Sequence, residues 1–150
     1  MSGWTEDDIA LRNLRIFGQA EPAKLVEDEK AEDVPEQLIA LECEQLLRED
    51  GWRTIQCEPL SSRSRGRGFG EIGMPDLLAL RYGKKTPGAC ECLWIEFKAR
   101  NGRVKKHQFE WHGKERARGG MTAIATVDFV PTVKGFRSWY RASGLARVLW

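Results

Sequence analysis

Long hydrophobic runs are missing from this sequence. No apolar stretch approaches the roughly 20 residues that a membrane helix needs. The first eight residues are acidic rather than basic and apolar, which is unlike a secretory signal or a transit peptide. The 150 residues are 41% hydrophobic and 31% charged, which is typical of one globular domain with its own core. We therefore expect a cytoplasmic protein with no membrane partner.

Histidine and cysteine are scarce. The two histidines are too few to complete a zinc site with the cysteines at 43, 57, 90 and 92, which do not form two Cys-x-x-Cys pairs. The spacing favours reduced structural thiols over a zinc site. We expect Cys43 and Cys57 to lie in the core.

Charge is distributed unevenly along the chain. Residues 1–50 hold 14 acidic and 5 basic side chains, whereas residues 51–150 hold 8 acidic and 19 basic ones, so the net charges are −9 and +11. A basic region of this size predicts a polyanionic partner such as nucleic acid. The alternative is that the acidic and basic parts complement each other within the fold.

Residues 1–33 form a separate N-terminal segment. Thr5 followed by three acids predicts a helix start, and apolar spacing continues the helix to about Phe17. Residues 19–33 are acidic and contain proline, which indicates an irregular arm. Such an arm packs either on a partner subunit or over a local site as a lid. We assign residues 34–150 to the main domain.

A second helix is predicted from Pro35 to the stop at Gly51, with Asp33 as the candidate cap. Glu36 opens an otherwise apolar stripe of this helix. It either complements the helix dipole or supplies an acid to a functional site. The stripe contains Glu36, Ile39, Ala40, Cys43 and Leu47.

Hydrophobic periodicity predicts the remaining elements. The 104–118 helix has Gln108 on a buried-looking stripe with Val104 and Trp111, and it crosses over to a strand that lies parallel to the preceding one. The element order is α, α, β, β, β, α, β, α, which describes an α/β (α+β mixed) fold with a mixed sheet flanked by helices. The predicted ranges are 52–59, 77–82, 92–98 and 122–127 for strands, and 104–118 and 133–142 for helices.

Three charged side chains are predicted to meet at the central hairpin. Glu96 and Lys98 share one face of their strand because side chains alternate with a period of two. If the two strands pair antiparallel, Asp76 lies beside Glu96. Two carboxylates near one point suit a divalent cation such as Mg²⁺, and the lysine suits a water or a phosphate.

Basic side chains surround this predicted site. The glycine-rich loop 61–73 leads directly into Asp76, and its arginines either contact phosphates or belong to a solvated linker. Residues 98–118 contain eight basic and two acidic side chains. The candidate DNA-binding residues are Arg63, Arg65, Arg67, Arg100, Arg103, Lys105 and Lys106.

The motif Pro75-Asp76, followed after nineteen residues by Glu96-Phe97-Lys98, resembles that of the PD-(D/E)xK nuclease superfamily. Gly73, the basic loop before it, and Gln108 ten residues after Lys98 are similar to the virus-type replication–repair nuclease (VRR-NUC) branch. The resemblance covers residues 34–145 and includes the helix that starts at Glu36, fifteen residues ahead of a glycine. It implies a restriction-endonuclease-like sheet.

The resemblance also implies residue roles. Asp76 and Glu96 would bind Mg²⁺ or Mn²⁺, Lys98 would position the attacking water, and Gln108 would orient the site or the phosphate. Glu36 would complete the acidic cluster, directly or through water. The family often has a glutamine where this chain has Ala40. This departure leaves Glu42 as an alternative third acid.

Members of this single-domain kind are similar to Holliday-junction resolvases, which act as dimers on branched DNA. The resemblance implies a metal-dependent DNA endonuclease that forms a homodimer, cytoplasmic or of viral or phage origin and acting in the host cytoplasm. Two alternatives remain open: a sequence-specific restriction or transposition nuclease, and a non-catalytic nucleic-acid-binding module on the same fold.

Overall fold

A computed structural model describes residues 34–57 and 70–148. In these ranges the element order is α1 (Glu36–Glu49), β1 (Arg53–Gln56), β2 (Leu77–Tyr82), β3 (Cys90–Glu96), α2 (Lys106–Ala117), β4 (Met121–Ile124) and α3 (Val133–Ala142). The fold is a mixed four-stranded sheet with three helices, an α+β arrangement. The predicted helix at 5–17, the acidic arm and the Asp33 cap lie outside the described residues, so the full eight-element order stays a prediction.

The sheet has the strand order β1-β2-β3-β4. The first three strands are antiparallel neighbours, and β3 pairs parallel with β4, as the crossover helix α2 requires. In the β2–β3 ladder Leu77 lies opposite Ile95. This register brings the start of β2 and the end of β3 together at one end of the sheet.

The two faces of the sheet are covered differently. One face bears Leu93, Ile95 and Phe97, which are buried in a single core with side chains of α1 and α3. The other face bears Trp94 and Glu96, which contact α2. Because side chains alternate along β3, the acid that ends the strand faces the basic helix and not the main core.

Helix α1 packs its apolar stripe into the core through Ile39, Cys43 and Leu47. Proline was expected in the first turn, but Pro35 occupies the N-cap position and makes no side-chain cap bond. Its fixed backbone geometry suits the entry to the helix without that bond. Helix α3 adds the buried rings of Phe136 and Tyr140 to the same core.

Several strand and helix ends differ from the prediction by one to three residues. Strand β3 ends at Glu96, so Lys98 lies beyond it, and α2 begins at Lys106 rather than 104. The four cysteines are all free, with Cys43 buried as expected but Cys57 only half-buried. Across the described ranges, no helix has the length and apolar character needed to span a bilayer.

Candidate active site

Asp76 lies at a bend of the backbone directly before β2. Its carboxylate Oδ2 accepts the backbone N–H of Phe97 at 2.8 Å, which ties the start of β2 to the end of β3. Burial raises the pKa of Asp76, and the nearby Glu36 carboxylate raises it further, while the Phe97 N–H and the Lys98 ammonium oppose the increase. Asp76 therefore lies where the sequence predicted, beside the end of β3.

Glu96 is fully buried at the end of β3. Its Oε1 accepts hydrogen bonds from the Lys98 ammonium and from the Gln108 side-chain amide. Its Oε2 is buried and has no hydrogen-bond partner within residues 34–57 and 70–148. Burial first, and then repulsion by Asp76, raise the pKa of Glu96 to about 7. The site thus contains a carboxylate that is only half satisfied by the protein.

Gln108 is held in place from both ends of its amide. Its Oε1 accepts the backbone N–H of Lys105 at 2.9 Å, a capping contact at the start of α2, and its Nε2 donates to Glu96. Because the two contacts use opposite ends of one planar amide, the side chain has a single orientation. Helix α2 thereby orients the Glu96 carboxylate.

Glu36, the first residue of α1, reaches the same end of β2 and β3 from the sheet face that bears the main core. Its Oε2 accepts the backbone N–H of Ala99 at 3.1 Å, and its charge raises the pKa of both Asp76 and Glu96. Glu42 is exposed, and its charge acts on the neighbouring Cys43. Of the two candidates for a third acid, Glu36 is the one near the other carboxylates.

The acids do not form a closed metal cage. Within residues 34–57 and 70–148, no group of three or more His, Cys, Asp or Glu side chains is arranged to hold a metal ion. Magnesium typically keeps several waters and needs only one or two protein carboxylates. The half-satisfied Glu96 with Asp76 beside it fits that requirement, since a cation would supply the missing partner of Oε2.

The predicted DNA-binding residues fall into two groups. The arginines of the basic loop (63, 65 and 67) lie outside the described residues. The other four are exposed and lie on the segment that joins Lys98 to α2 and on the first turn of that helix, although Lys106 also lies 3.8 Å from Glu110. These four are Arg100, Arg103, Lys105 and Lys106.

Two buried polar residues of α2 were not predicted. His112 is fully buried, and neither ring nitrogen has a hydrogen-bond partner in the part of the chain that the structure describes. Burial lowers its pKa to about 3. Arg116 lies one turn further along the helix. Its guanidinium donates to the Thr122 hydroxyl, and it donates to the Asp128 carboxylate at 2.8 Å. The spacing 108, 112, 116 is a helical stripe toward the sheet, and a search of that period would have found both. Trp111, expected on the same stripe, instead lies on a neighbouring one and donates to Glu71 at 2.7 Å.

The chain was compared with protein-family models, curated proteins and solved structures, and it matches none of them.

Proposed function

We propose that the chain is a metal-dependent DNA endonuclease that hydrolyses phosphodiester bonds, with four-way or other branched DNA as its substrate. One observation supports this proposal above the others: the buried Oε2 of Glu96 beside Asp76, which has no hydrogen-bond partner among the described residues. Leaving a buried polar atom unsatisfied costs about 1–3 kcal/mol, and a bound ion is one explanation for such an atom.

Asp76 and Glu96 would hold Mg²⁺ or Mn²⁺, with Glu36 joining directly or through water. When bound, such an ion polarises the scissile phosphate and lowers the pKa of a coordinated water. Lys98 would then orient the attacking water and stabilise the negative charge that develops on the phosphate. Its ammonium already donates to the Glu96 carboxylate, so it would need no large movement to reach a phosphate bound to a metal ion at the two acids.

The substrate class follows from charge and from the resemblance to VRR-NUC nucleases. The exposed basic residues between Lys98 and α2 suit the phosphates of a DNA backbone, which attract cations irrespective of sequence. A restriction-type nuclease would in addition need side chains aimed at base edges in a groove. Branched DNA and a homodimer are the expectations that come with the family resemblance.

The first experiment is a cleavage assay on a four-way junction and on a linear duplex of the same sequence, with Mg²⁺ or Mn²⁺ and with a chelator. We expect metal-dependent cleavage that favours the junction. Absence of cleavage on every DNA by pure wild-type protein would contradict the proposal. Tight binding without cleavage would favour the non-catalytic module, and a fixed sequence at the cut ends would favour the restriction type.

Lys98→Ala tests the catalytic assignment within the same assay. We expect this variant to lose cleavage while it retains junction binding. Lys85→Ala removes an exposed lysine on the β2–β3 turn, at the opposite end of the strands, and is the matched control with normal cleavage. Light scattering of the wild type with and without junction tests the dimer, since two coordinated cuts require two sites.

A further inference from the structure

A cleft lies between the loop that precedes β2 and helix α2. Its volume is about 390 Å³, within the range of about 300–1,000 Å³ that small-ligand sites occupy. Ile72 forms one side, and the other is formed by a stripe of α2 that is distinct from the Gln108 stripe. The residues of that stripe are His107, Trp111, Lys114 and Arg118.

The walls of this cleft are fixed to each other. Gly73 has a φ of +84°, and a Cβ at this position would lie 2.2 Å from the carbonyl oxygen of His107, so loop and helix touch through their backbones. Trp111 donates to Glu71 at 2.7 Å across the cleft, and its ring packs edge-on against Trp94 at 5.0 Å. The cleft therefore has walls held by contacts of their own. It shares two elements with the site, which takes Asp76 from the end of the same loop and Gln108 from the same helix.

The cleft combines an apolar surface with two cations, Lys114 and Arg118, and two acids, Glu71 and Glu110. Ile72 is 64% exposed, the largest exposed fraction among the bulky apolar side chains of the described residues. Lys114 is exposed and has no carboxylate partner in the part of the chain that the structure describes, and Arg118 lies 3.4 Å from Glu115. The two acids at the cleft have contacts of their own, Glu71 with Trp111 and Glu110 with Lys106.

This combination distinguishes between forms of DNA. Phosphates of any strand would satisfy Lys114 and Arg118. Ile72 and Trp111, however, gain most from contact with a base face, and in an intact duplex the base faces are already stacked. Base stacking on aromatic side chains, with cations along the backbone, is the usual mode of single-strand binding, and Trp111 is the aromatic side chain that lines this cleft.

We infer that the cleft binds an unpaired nucleotide of the substrate strand next to the bond that is cut. The inference rests on the proposed function for its place in the reaction. It narrows the proposed substrate class: among branched DNAs it selects those with at least one unpaired nucleotide near the cut, such as a flap or a single-strand end.

The test measures binding in the presence of a chelator, so that no cleavage is needed. A fluorescein-labelled single strand of about 12 nucleotides and a blunt duplex of the same sequence are titrated with the protein in anisotropy assays. We expect the double variant Ile72→Ala/Lys114→Ala to bind the single strand about tenfold more weakly, since it loses one apolar contact with a base and one phosphate contact. Duplex affinity should fall by a much smaller factor.

A matched control replaces an exposed isoleucine and an exposed lysine elsewhere. Ile55→Ala/Lys84→Ala alters β1 and the β2–β3 turn and should bind both DNAs as the wild type does. Circular dichroism and the melting temperature verify that both double variants fold. Unchanged single-strand affinity of the Ile72/Lys114 variant would overturn the inference, as would an equal loss on both DNAs.

Failure of this inference differs from failure of the proposed function. If the wild type cleaves DNA but the Ile72/Lys114 variant shows no selective loss of single-strand affinity, the nuclease proposal holds and the inference about the cleft is wrong. If the wild type never cleaves but the variant shows the selective loss, the cleft binds single strands and the nuclease proposal is wrong.

Discussion

Asp76 performs two separable tasks at the scale of a single residue. It accepts the Phe97 N–H at 2.8 Å, and its charge raises the pKa of Glu96. The first contact stabilises the β2–β3 edge, whereas the second is a repulsion that the fold tolerates. Conservative and truncating substitutions should therefore have opposite effects on stability.

We expect Asp76→Asn to be at least as stable as the wild type, because the asparagine oxygen still accepts the Phe97 N–H and the repulsion is gone. Asp76→Ala leaves that N–H unpaired and should cost about 1–3 kcal/mol. Both should lose cleavage. Urea unfolding in the presence of a chelator measures the first effect, and equal stabilities for the two variants would show that the hydrogen bond is unimportant.

His112 predicts a dependence of stability on pH. Burial, with Arg116 and Lys98 nearby, lowers its folded pKa from 6.5 to about 3. Between these values the unfolded chain binds a proton that the folded chain does not, so stability falls as pH decreases from about 6.5. For this one group the slope is about 1.4 kcal/mol per pH unit.

Urea unfolding from pH 7 to pH 4 compares wild type with His112→Leu. The variant should lose less stability than the wild type, by about 1.4 kcal/mol for each pH unit below about 6.5. His107→Gln, at an exposed position on the same helix, is the control and should follow the wild type. If His112→Leu and wild type have parallel pH profiles, the buried imidazole does not titrate as described.

At the scale of elements, the contact between loop 70–76 and α2 aligns two parts of the site. It depends on Gly73, which combines a positive φ with backbone contact at His107. Gly88, on the β2–β3 turn, has the same φ of +84° but nothing within 4 Å of an added Cβ. The pair separates backbone strain from loss of close packing.

Alanine at either glycine should cost stability through the positive φ, by about 1 kcal/mol. Gly73→Ala should cost more, because α2 must also move away from the loop, and Gln108 would move with it. We expect a large loss of cleavage for Gly73→Ala and none for Gly88→Ala. Melting temperatures and cleavage rates of the two variants check this, and equal behaviour would argue against a role for the contact.

Much of this arrangement was predictable because local patterns determine it. Alternation on β3 placed Glu96 away from the apolar core, and the antiparallel hairpin brought Asp76 to Phe97. The period 108, 112, 116 places His112 and Arg116 on the Gln108 stripe, but the ion pair of Arg116 with Asp128 was not predictable, because it depends on where β4 and Asp128 lie relative to α2. A basic residue on a helix reads as solvent-facing until its distant partner is known.

At the scale of the whole molecule, Asp50 joins both ends of the described chain. Its carboxylate accepts hydrogen bonds from Tyr140, from Arg81 at 3.1 Å and from the backbone N–H groups of Arg147 and Val148 at 3.0 and 2.8 Å. The side chain of Asp50 is inaccessible to solvent. Trp52 completes the cluster by donating to Tyr140 and by lying under the Arg81 guanidinium.

Asp50→Ala should cost about 3–5 kcal/mol, because it removes one of the two carboxylates that bind the buried Arg81 guanidinium and takes the acceptor away from the backbone N–H groups of Arg147 and Val148. Glu49→Ala removes the neighbouring carboxylate, which is exposed, and should change stability little. Urea unfolding measures both. A loss at Asp50 no larger than at Glu49 would mean that Glu91, which also binds Arg81, is a sufficient partner.

The Asp50 cluster has a consequence for biosynthesis. The backbone group that it binds at Arg147 is made 97 residues later. At about 5–20 residues per second, a nascent chain waits roughly 5–20 s for that partner. Throughout this interval the Asp50 carboxylate has only Arg81 as an available partner, and the helix–hairpin part lacks the buried rings of α3, so apolar surface that is prone to aggregation stays exposed.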